Sequence, residues 1–225
     1  MIRIKNLSVS YDKNIVLKDL TVDFNQQQIH GIVGLNGAGK TTLLRAIYGL
    51  KNIDSGEILI PDIGSKKPIA FLETVNYFYP KITGFEYLKL INSGNEKDIE
   101  LYNSLFDLPL NKLIEHYSTG MRKKLAFMGV LSLKRPIILL DEPFNGIDLD
   151  SYETMKRIIL ELRERDKLIL ITSHILESLT SICDCIHVLN NKSISKTYLR
   201  NEFNQMESDL FKNKDFDIKE VLNKL

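Results

Sequence analysis

The order of apolar and polar residues along the chain predicts a series of strands and helices. Residues 2–24 alternate in two stretches separated by Asp-Lys-Asn, which predicts a β-hairpin with one open face. Residues 151–167 have the apolar spacing of an amphipathic helix, and residues 185–198 suggest a terminal hairpin. Continuous apolar runs, typical of strands buried on both faces, occupy residues 29–33, 69–72, 137–141 and 168–172.

These elements predict an α/β fold. Apolar strands that alternate with helices favour a mostly parallel sheet covered on both faces, and the early hairpin adds an antiparallel β subdomain. Residues 85–116 lose the strand pattern and favour helices, so we expect a compact helical lobe over about residues 80–132. We expect one domain over residues 1–200 and a charged helical tail over residues 201–225.

Composition narrows the possible partners. The chain has 225 residues, 44% of them hydrophobic, and a net charge of +1, so a large core is expected and nucleic acid is not an expected partner. No apolar run approaches the roughly 18–20 residues that span a bilayer, which predicts a soluble protein or one bound to a membrane through a partner. Cys183 and Cys185 are expected to be reduced, mostly buried thiols in a reducing cytoplasm.

Residues 29–47, IHGIVGLNGAGKTTLLRAI, place glycines between a predicted strand and a predicted helix. Residues 34–41 fit the phosphate-binding pattern G-x-x-x-x-G-K-[ST]. Glycine lets the backbone N–H groups approach phosphates closely, and the helix adds the positive end of its dipole. We therefore expect Lys40 to reach the β- and γ-phosphates of a nucleoside triphosphate, and the Thr41 hydroxyl to bind Mg²⁺.

Two acids end the next long apolar run, IILLDEP. Ligands of open α/β sheets bind beyond the carboxyl ends of the strands, so this pair belongs near the phosphate loop. Asp141 is expected to hold Mg²⁺, and Glu142 to act as the base that polarises a water aimed at the γ-phosphate.

A second helix start, at residues 118–120, also has the character of an anion site. One nucleotide needs only one phosphate loop, so the second helix end needs another role. A head-to-tail homodimer supplies it, because the Ser118 end of each chain would contact the γ-phosphate held by the other chain.

Five motifs, in order over roughly residues 1–200, resemble those of the nucleotide-binding subunits of ABC (ATP-binding cassette) transporters. GLNGAGKTT resembles the phosphate loop, YSTGM the signature Leu-Ser-Gly-Gly-Gln, and IILLDEP the magnesium and catalytic-glutamate strand. NGID resembles the loop that crosses the dimer interface, and ITSH ends in His174 at the family's γ-phosphate-sensing position.

The resemblance implies ATP and Mg²⁺ as cofactors and an ATPase that powers a separate transmembrane permease. It implies a homodimer closed by ATP, located in the cytoplasm on the inner face of the cell membrane, and the STGM variant suggests export. Glu142, His174 and Lys40 are the implied catalytic residues. The implied ATP contacts are Tyr11 (against adenine), Asn36, Gly37, Ala38, Gly39, Lys40, Thr41, Thr42, Ser118 and Gly120.

The sequence departs from the family after residue 72, where a glutamine normally bridges Mg²⁺ and the attacking water. Glu73 is the first candidate for this position and for a third metal ligand beside Thr41 and Asp141, and Thr74 is the alternative if the register shifts by one. His30, His116 and His187 have no motif context and are interpreted as structural or surface residues.

Two other functions compete with the transporter ATPase. A non-transport ABC ATPase, such as one that assembles iron–sulfur clusters, shares the same motifs. A nucleotide kinase that uses only the phosphate loop leaves residues 118–120, residues 145–148 and His174 without a role.

Overall fold

The computed structural model describes residues 1–60, 68–91 and 96–210, and its strands form two sheets. The antiparallel sheet contains, in spatial order, β2 (Asn14–Phe24), β1 (Ile2–Tyr11) and β4 (Ser55–Leu59). This confirms the predicted hairpin and the antiparallel subdomain.

The second sheet is mostly parallel, as predicted. Its spatial order is β5 (Ile69–Leu72), β6 (Ile137–Asp141), β7 (Leu168–Ser173), β3 (Ile29–Val33), β8 (Cys185–Asn190) and β9 (Ser193–Leu199). Only the β8–β9 pair of this sheet is antiparallel among the described residues. Because parallel strands end at one edge, the residues that follow β3, β5, β6 and β7 meet there.

Helices cover both faces of this sheet. They are α1 (Lys40–Tyr48), α2 (Gly84–Ile91), α3 (Glu96–Asn103), α4 (Thr119–Ser132), α5 (Leu149–Glu164) and α6 (Leu176–Thr180). Helices α2, α3 and α4 pack on one another and build the helical lobe. None of the helices in the described ranges has the length and apolar character needed to cross a bilayer.

The parallel strands send alternate side chains into two cores, which explains why they are continuously apolar. In β6, Ile138 and Leu140 pack with α4 and α5, whereas Ile137 and Leu139 face α1 and the antiparallel sheet. Burial of each such side chain is worth about 1.5–3 kcal/mol, so both faces of the strand stabilise the sheet.

The predicted tail begins on the surface of the domain. Residues 203–210 are helical, with Phe203 and Met206 buried in the core that contains α4 and α5. The Tyr198 hydroxyl donates a hydrogen bond to Asp209 at 2.9 Å, which joins β9 to this helix. Residues 211–225, the rest of the predicted tail, lie outside the described residues, so the division at residue 200 stays a prediction.

Both cysteines are free and buried, in agreement with the sequence. His116 is exposed, whereas His30 and His187 are buried side by side between the two sheets. Burial lowers the pKa of His30 to about 4 and that of His187 to about 3, which keeps both rings neutral at pH 7. Burial also raises the pKa of the Cys185 thiol to about 12.

Candidate nucleotide site

The phosphate loop joins β3 to α1 as the sequence predicts. Gly37 and Gly39 have φ angles of 81° and 108°, in the region that favours glycine. A Cβ on Gly39 would lie 2.8 Å from a side-chain carbon of Leu17 on β2, so this position also needs glycine for space. Gly39 is the N-cap of α1, and no side chain caps the first-turn N–H groups. These N–H groups remain available to an anion.

Lys40 places its ammonium group at the loop. Its side chain is buried and donates to the carbonyl oxygens of Gly34 and Leu35 at 2.8 and 3.3 Å. The same ammonium lies 3.8 Å from Oε1 of Glu142. The only cation that lines this cavity among the described residues therefore sits between the loop and the acidic strand end.

Asp141 is fully buried and held by three threonine hydroxyls. Its Oδ2 accepts hydrogen bonds from Thr41 at 2.7 Å and from Thr74 at 2.6 Å, and its Oδ1 accepts one from Thr172 at 2.5 Å. Carboxylate and hydroxyl oxygens are the ligands that Mg²⁺ prefers in proteins. The predicted metal residues Thr41 and Asp141 are thus brought together, and their donor atoms fit this ion.

The carboxylate of Glu142 lies between the Lys40 ammonium and the His174 ring, and its backbone has an unusual conformation. Its φ of 49° is left-handed, which costs a non-glycine residue roughly 1–3 kcal/mol. The N–H group of Glu142 donates to Thr172, and the Lys123 ammonium donates to its carbonyl oxygen at 2.9 Å. This backbone aims the carboxylate at His174, whose Nδ1 lies 3.0 Å from Oε2.

These groups line one cavity of about 460 Å³ at the carboxyl edge of the parallel sheet, a volume typical of small-molecule sites. It brings together most of the residues predicted from the phosphate loop, with Glu142 and His174. The lining residues are Val16, Asn36, Gly37, Ala38, Gly39, Lys40, Thr41, Thr42, Thr74, Glu142, Asn145 and His174.

Glu73, the first candidate for the third metal ligand, is not among the residues that line this cavity. Its carboxylate accepts a hydrogen bond from Nε of Arg45 on α1 at 2.9 Å. Thr74 instead lines the cavity and contacts Asp141. Strand β5 ends at Leu72, and the side chains that follow it diverge, so a shift of one residue decides which reaches the site.

Tyr11 is also absent from the cavity lining. It ends β1 with 40% of its surface exposed, and the Lys51 ammonium lies 4.2 Å from the centre of its ring. Val16 on β2 is the hydrophobic side chain from the antiparallel sheet that lines the cavity. The predicted stacking of Tyr11 on adenine therefore stays a prediction.

Ser118 and Gly120 lie outside the cavity of their own chain. The Ser118 hydroxyl accepts a hydrogen bond from the N–H group of Met121 and so caps α4. A Cβ on Gly120 would lie 2.9 Å from the carbonyl oxygen of Gly146, which holds the start of α4 against residues 145–148. Lys124 of α4 also lies 3.3 Å from Asp148. The two motifs thus form one continuous surface.

Sequence reasoning missed the roles of Lys123 and Thr172. Lys123 stands in a run of three basic residues, and nothing in that run distinguishes the buried lysine from its neighbours. Thr172 is opposite Asp141 in the β6–β7 register, a relation that only the sheet pairing provides.

Comparison with known proteins identifies the family of this chain. A family model described as ABC transporter matches residues 17–145. The ABC transporter ATP-binding protein YtrB of Bacillus subtilis is 34% identical over 206 residues, which cover 87% of this chain and 70% of YtrB. This chain belongs to the ABC transporter family.

As a member of that family, the chain is an ATP-binding protein and an ATPase. It is 32% identical to the putative ABC transporter ATP-binding protein AlbC of Bacillus subtilis, over 89% of this chain and 95% of AlbC. Its fold matches the dimeric post-hydrolysis structure of the ATP-binding cassette MJ0796 bound to ADP and Pi, with a TM-score of 0.81 and 21% identity over 89% of this chain and 99% of that one.

Proposed function

We propose that this ABC ATPase closes as a homodimer around two Mg²⁺–ATP molecules and thereby powers a separate transmembrane permease, in the direction of export. One observation carries this proposal: the phosphate loop, Glu142 and His174 line one cavity, whereas the Ser118 helix end lies outside it. A second copy of the chain supplies the missing anion-binding helix end.

Within one cavity, the residues divide the work of holding ATP. Lys40 and the first-turn N–H groups of α1 bind the phosphates, and Asn36, Gly37 and Thr42 line the same surface. Thr41 and Asp141 would hold Mg²⁺, which supplies positive charge next to the phosphates when it is bound. Thr74 orients Asp141 through its hydroxyl.

Glu142 is placed to act as general base. Its carboxylate is buried, and a water between this group and the γ-phosphate would lose its proton to it. His174, 3.0 Å from Oε2, orients the carboxylate and contacts the γ-phosphate. Lys40 neutralises charge that develops on the transferred phosphoryl group.

The dimer is supported by the exposed surface that α4 shares with residues 145–148. Gly120 lies against Gly146, and Lys124 pairs with Asp148, so the signature segment and residues 145–148 are in contact on one surface. The cassette MJ0796 is a dimer in its post-hydrolysis structure.

The permease contact belongs to the aromatic segment that leads into the helical lobe. Tyr77 and Tyr79 are 84% and 72% exposed, although they stand in an aromatic-rich stretch whose Phe78 and Phe85 pack on the core. Large exposed aromatic side chains on one segment are typical of a docking surface. This contact would place the ATPase in the cytoplasm, on the inner face of the membrane.

The first test is co-purification of the tagged chain from its native cell after mild detergent extraction. We expect to recover a multi-spanning membrane protein in stoichiometric amount. Transport assays with this partner then show the substrate and the direction of transport. Replacing Tyr77 and Tyr79 with serine should abolish recovery of this partner while ATP binding persists, and replacing the exposed Leu101 with serine is the matched control. A set of purely soluble partners would overturn the proposal in favour of a non-transport ATPase.

A further inference from the structure

A cluster of two histidines and one cysteine lies inside the protein at the amino end of β3, whereas the phosphate loop follows the carboxyl end of that strand. His30, Cys185 and His187 are each at most 5% exposed. The β3–β8 pairing sets His30 beside Cys185, and the two-residue spacing in β8 sets His187 on the same face. Phe24 packs edge-on against both imidazole rings. The ATP site uses none of these side chains.

The donor atoms of the cluster form a small triangle. Nδ1 of His30 lies 3.0 Å from Nε2 of His187, and Sγ of Cys185 lies 3.1 and 3.7 Å from these two nitrogens. The point equidistant from the three corners is about 1.9 Å from each, compared with about 2.0–2.1 Å for zinc–nitrogen bonds and about 2.3 Å for zinc–sulfur bonds. Shifts of roughly a few tenths of an ångström would bring all three atoms to bonding distance.

The remaining ring nitrogens have partners that orient both rings. Nε2 of His30 lies 3.0 Å from the carbonyl oxygen of Asn25, and because a carbonyl only accepts, Nε2 carries the proton and Nδ1 presents its lone pair to the cluster. Nδ1 of His187 lies 2.8 Å from the Thr197 hydroxyl. Metal-binding histidines almost always use their other nitrogen in this way, for a hydrogen bond that fixes the ring.

We propose that His30, Cys185 and His187 bind one soft d¹⁰ metal ion, Cu(I) or Zn²⁺, at a structural site that ties β3 to β8. Thiolate and imidazole ligands select these ions, whereas Mg²⁺ prefers oxygen. Within the described residues the group has three members, which provides one sulfur and two nitrogen ligands.

Metal binding replaces the hydrogen bonds within the cluster with metal–ligand bonds and moves two protons. Without an ion, Nε2 of His187 donates to Nδ1 of His30. On binding, that proton moves to Nδ1 of His187, and the Nδ1–H group then donates a hydrogen bond to the Thr197 hydroxyl. The Cys185 thiol loses its proton to solvent, because the thiolate is the form that binds metals. One proton is released for each ion bound.

The test uses the purified, reduced, full-length chain after removal of metals by a chelator, without nucleotide. We expect it to bind one equivalent of Co²⁺ with a thiolate-to-cobalt charge-transfer band. Zn²⁺ or Cu(I) should displace Co²⁺ and raise the thermal midpoint, because ligands that bind the folded state stabilise it. Competition between Zn²⁺ and Cu(I) identifies the preferred ion. X-ray absorption of the loaded wild-type chain should show one sulfur and two imidazole ligands, a result that depends on no variant.

Two buried thiols provide a matched pair of variants. Cys185→Ala should lose the charge-transfer band and bind Zn²⁺ at least 100-fold more weakly. Cys183→Ala should keep both properties, because Cys183 packs beside Gly31 on the other face of β3. Thr197→Val should weaken binding about 10- to 100-fold through loss of the ring-orienting hydrogen bond. Absence of the band in the wild-type chain, its persistence in Cys185→Ala, or a metal without a sulfur ligand would each overturn the proposal.

Discussion

Helices α1 and α4 of this ABC ATPase differ in how their first-turn N–H groups are used. Helix α1 begins after Gly39, which has no side chain to cap it, and its first residue Lys40 is buried in the cavity beside the phosphate loop. Helix α4 begins after Ser118, whose own hydroxyl accepts the N–H group of Met121 at an exposed position. In our proposal, the first end holds phosphate within its own chain, whereas the second end, which Ser118 caps, faces outward.

In our proposal, this difference leaves the catalytic site of one chain incomplete. The α1 end has Asp141 and Glu142 beside it, whereas Gly120 and Lys124 near the start of α4 contact Gly146 and Asp148. In our proposal, the second end works only on the nucleotide of a partner copy.

Glu142→Gln should have the largest effect. Because the variant cannot accept a proton from water, we expect hydrolysis to fall about 10²- to 10⁴-fold while ATP binding persists, and the ATP-bound dimer to accumulate. Phosphate release and light scattering after size exclusion measure the two effects. Glu161→Gln, on the exposed face of α5, is the control that should behave like wild type. A monomeric Glu142→Gln variant that hydrolyses ATP normally would refute the role of this residue.

Ser118→Asn should separate helix capping from catalysis. Asparagine caps helices as well as serine does, so stability should hold, but loss of the hydroxyl contact to the γ-phosphate should lower hydrolysis about 10- to 100-fold. Ser118→Ala should lose hydrolysis and also about 0.5–2 kcal/mol of stability.

Mixed dimers decide whether Ser118 acts on the partner's nucleotide. Ser118→Asn and Lys40→Ala subunits are each deficient alone, but a dimer of one with the other contains one complete site, formed by the Lys40 of the first and the Ser118 of the second. We expect activity to appear on mixing. If mixing restores nothing, Ser118 does not act across a dimer.

Thr74→Ala and Glu73→Gln should differ in their need for magnesium. Thr74 donates a hydrogen bond to Asp141 that is worth about 0.5–1.5 kcal/mol. Its loss should therefore lower hydrolysis severalfold and raise the Mg²⁺ concentration needed for half-maximal activity. Glu73→Gln breaks only a partly exposed ion pair with Arg45, worth about 0–1 kcal/mol. Activity measured against Mg²⁺ concentration compares them. A larger shift for Glu73→Gln would restore Glu73 as the magnesium residue.

Asp148→Asn should have the smallest effect, and the effect should depend on pH. Hydrogen bonds from the Ser151 N–H group and hydroxyl lower the pKa of Asp148 to about 2, below its usual value of about 3.8. A depressed carboxylate pKa stabilises the fold above about pH 4, and this contribution is lost as the pH falls towards 2. The thermal midpoint of the variant should therefore lie slightly below that of wild type at pH 7, and the difference should shrink below pH 4. A constant difference would exclude a charge effect.

Local patterns were sufficient for most of the fold. Strands β3, β5, β6 and β7 of the parallel sheet are mostly apolar runs because both of their faces are buried, so their positions are evident without a partner strand. The phosphate loop was equally evident, because Gly37, Gly39 and Lys40 act through a few consecutive residues. Local pattern does not distinguish neighbouring residues whose role depends on a shift of one position. Glu73 and Thr74 are such a pair, since only the structure shows that Glu73 contacts Arg45 and Thr74 contacts Asp141.

By itself, the sequence determined the elements, the phosphate loop and the acidic pair, because consecutive residues encode helix periodicity, strand burial and backbone freedom. Only the tertiary structure decided which distant side chains meet. It set three threonine hydroxyls around Asp141, Lys123 against the carbonyl oxygen of Glu142, and His30 beside residues of β8 that are 155 and 157 positions away. Such contacts depend on strand order and register, which arise from the packing of the whole chain and leave no local pattern.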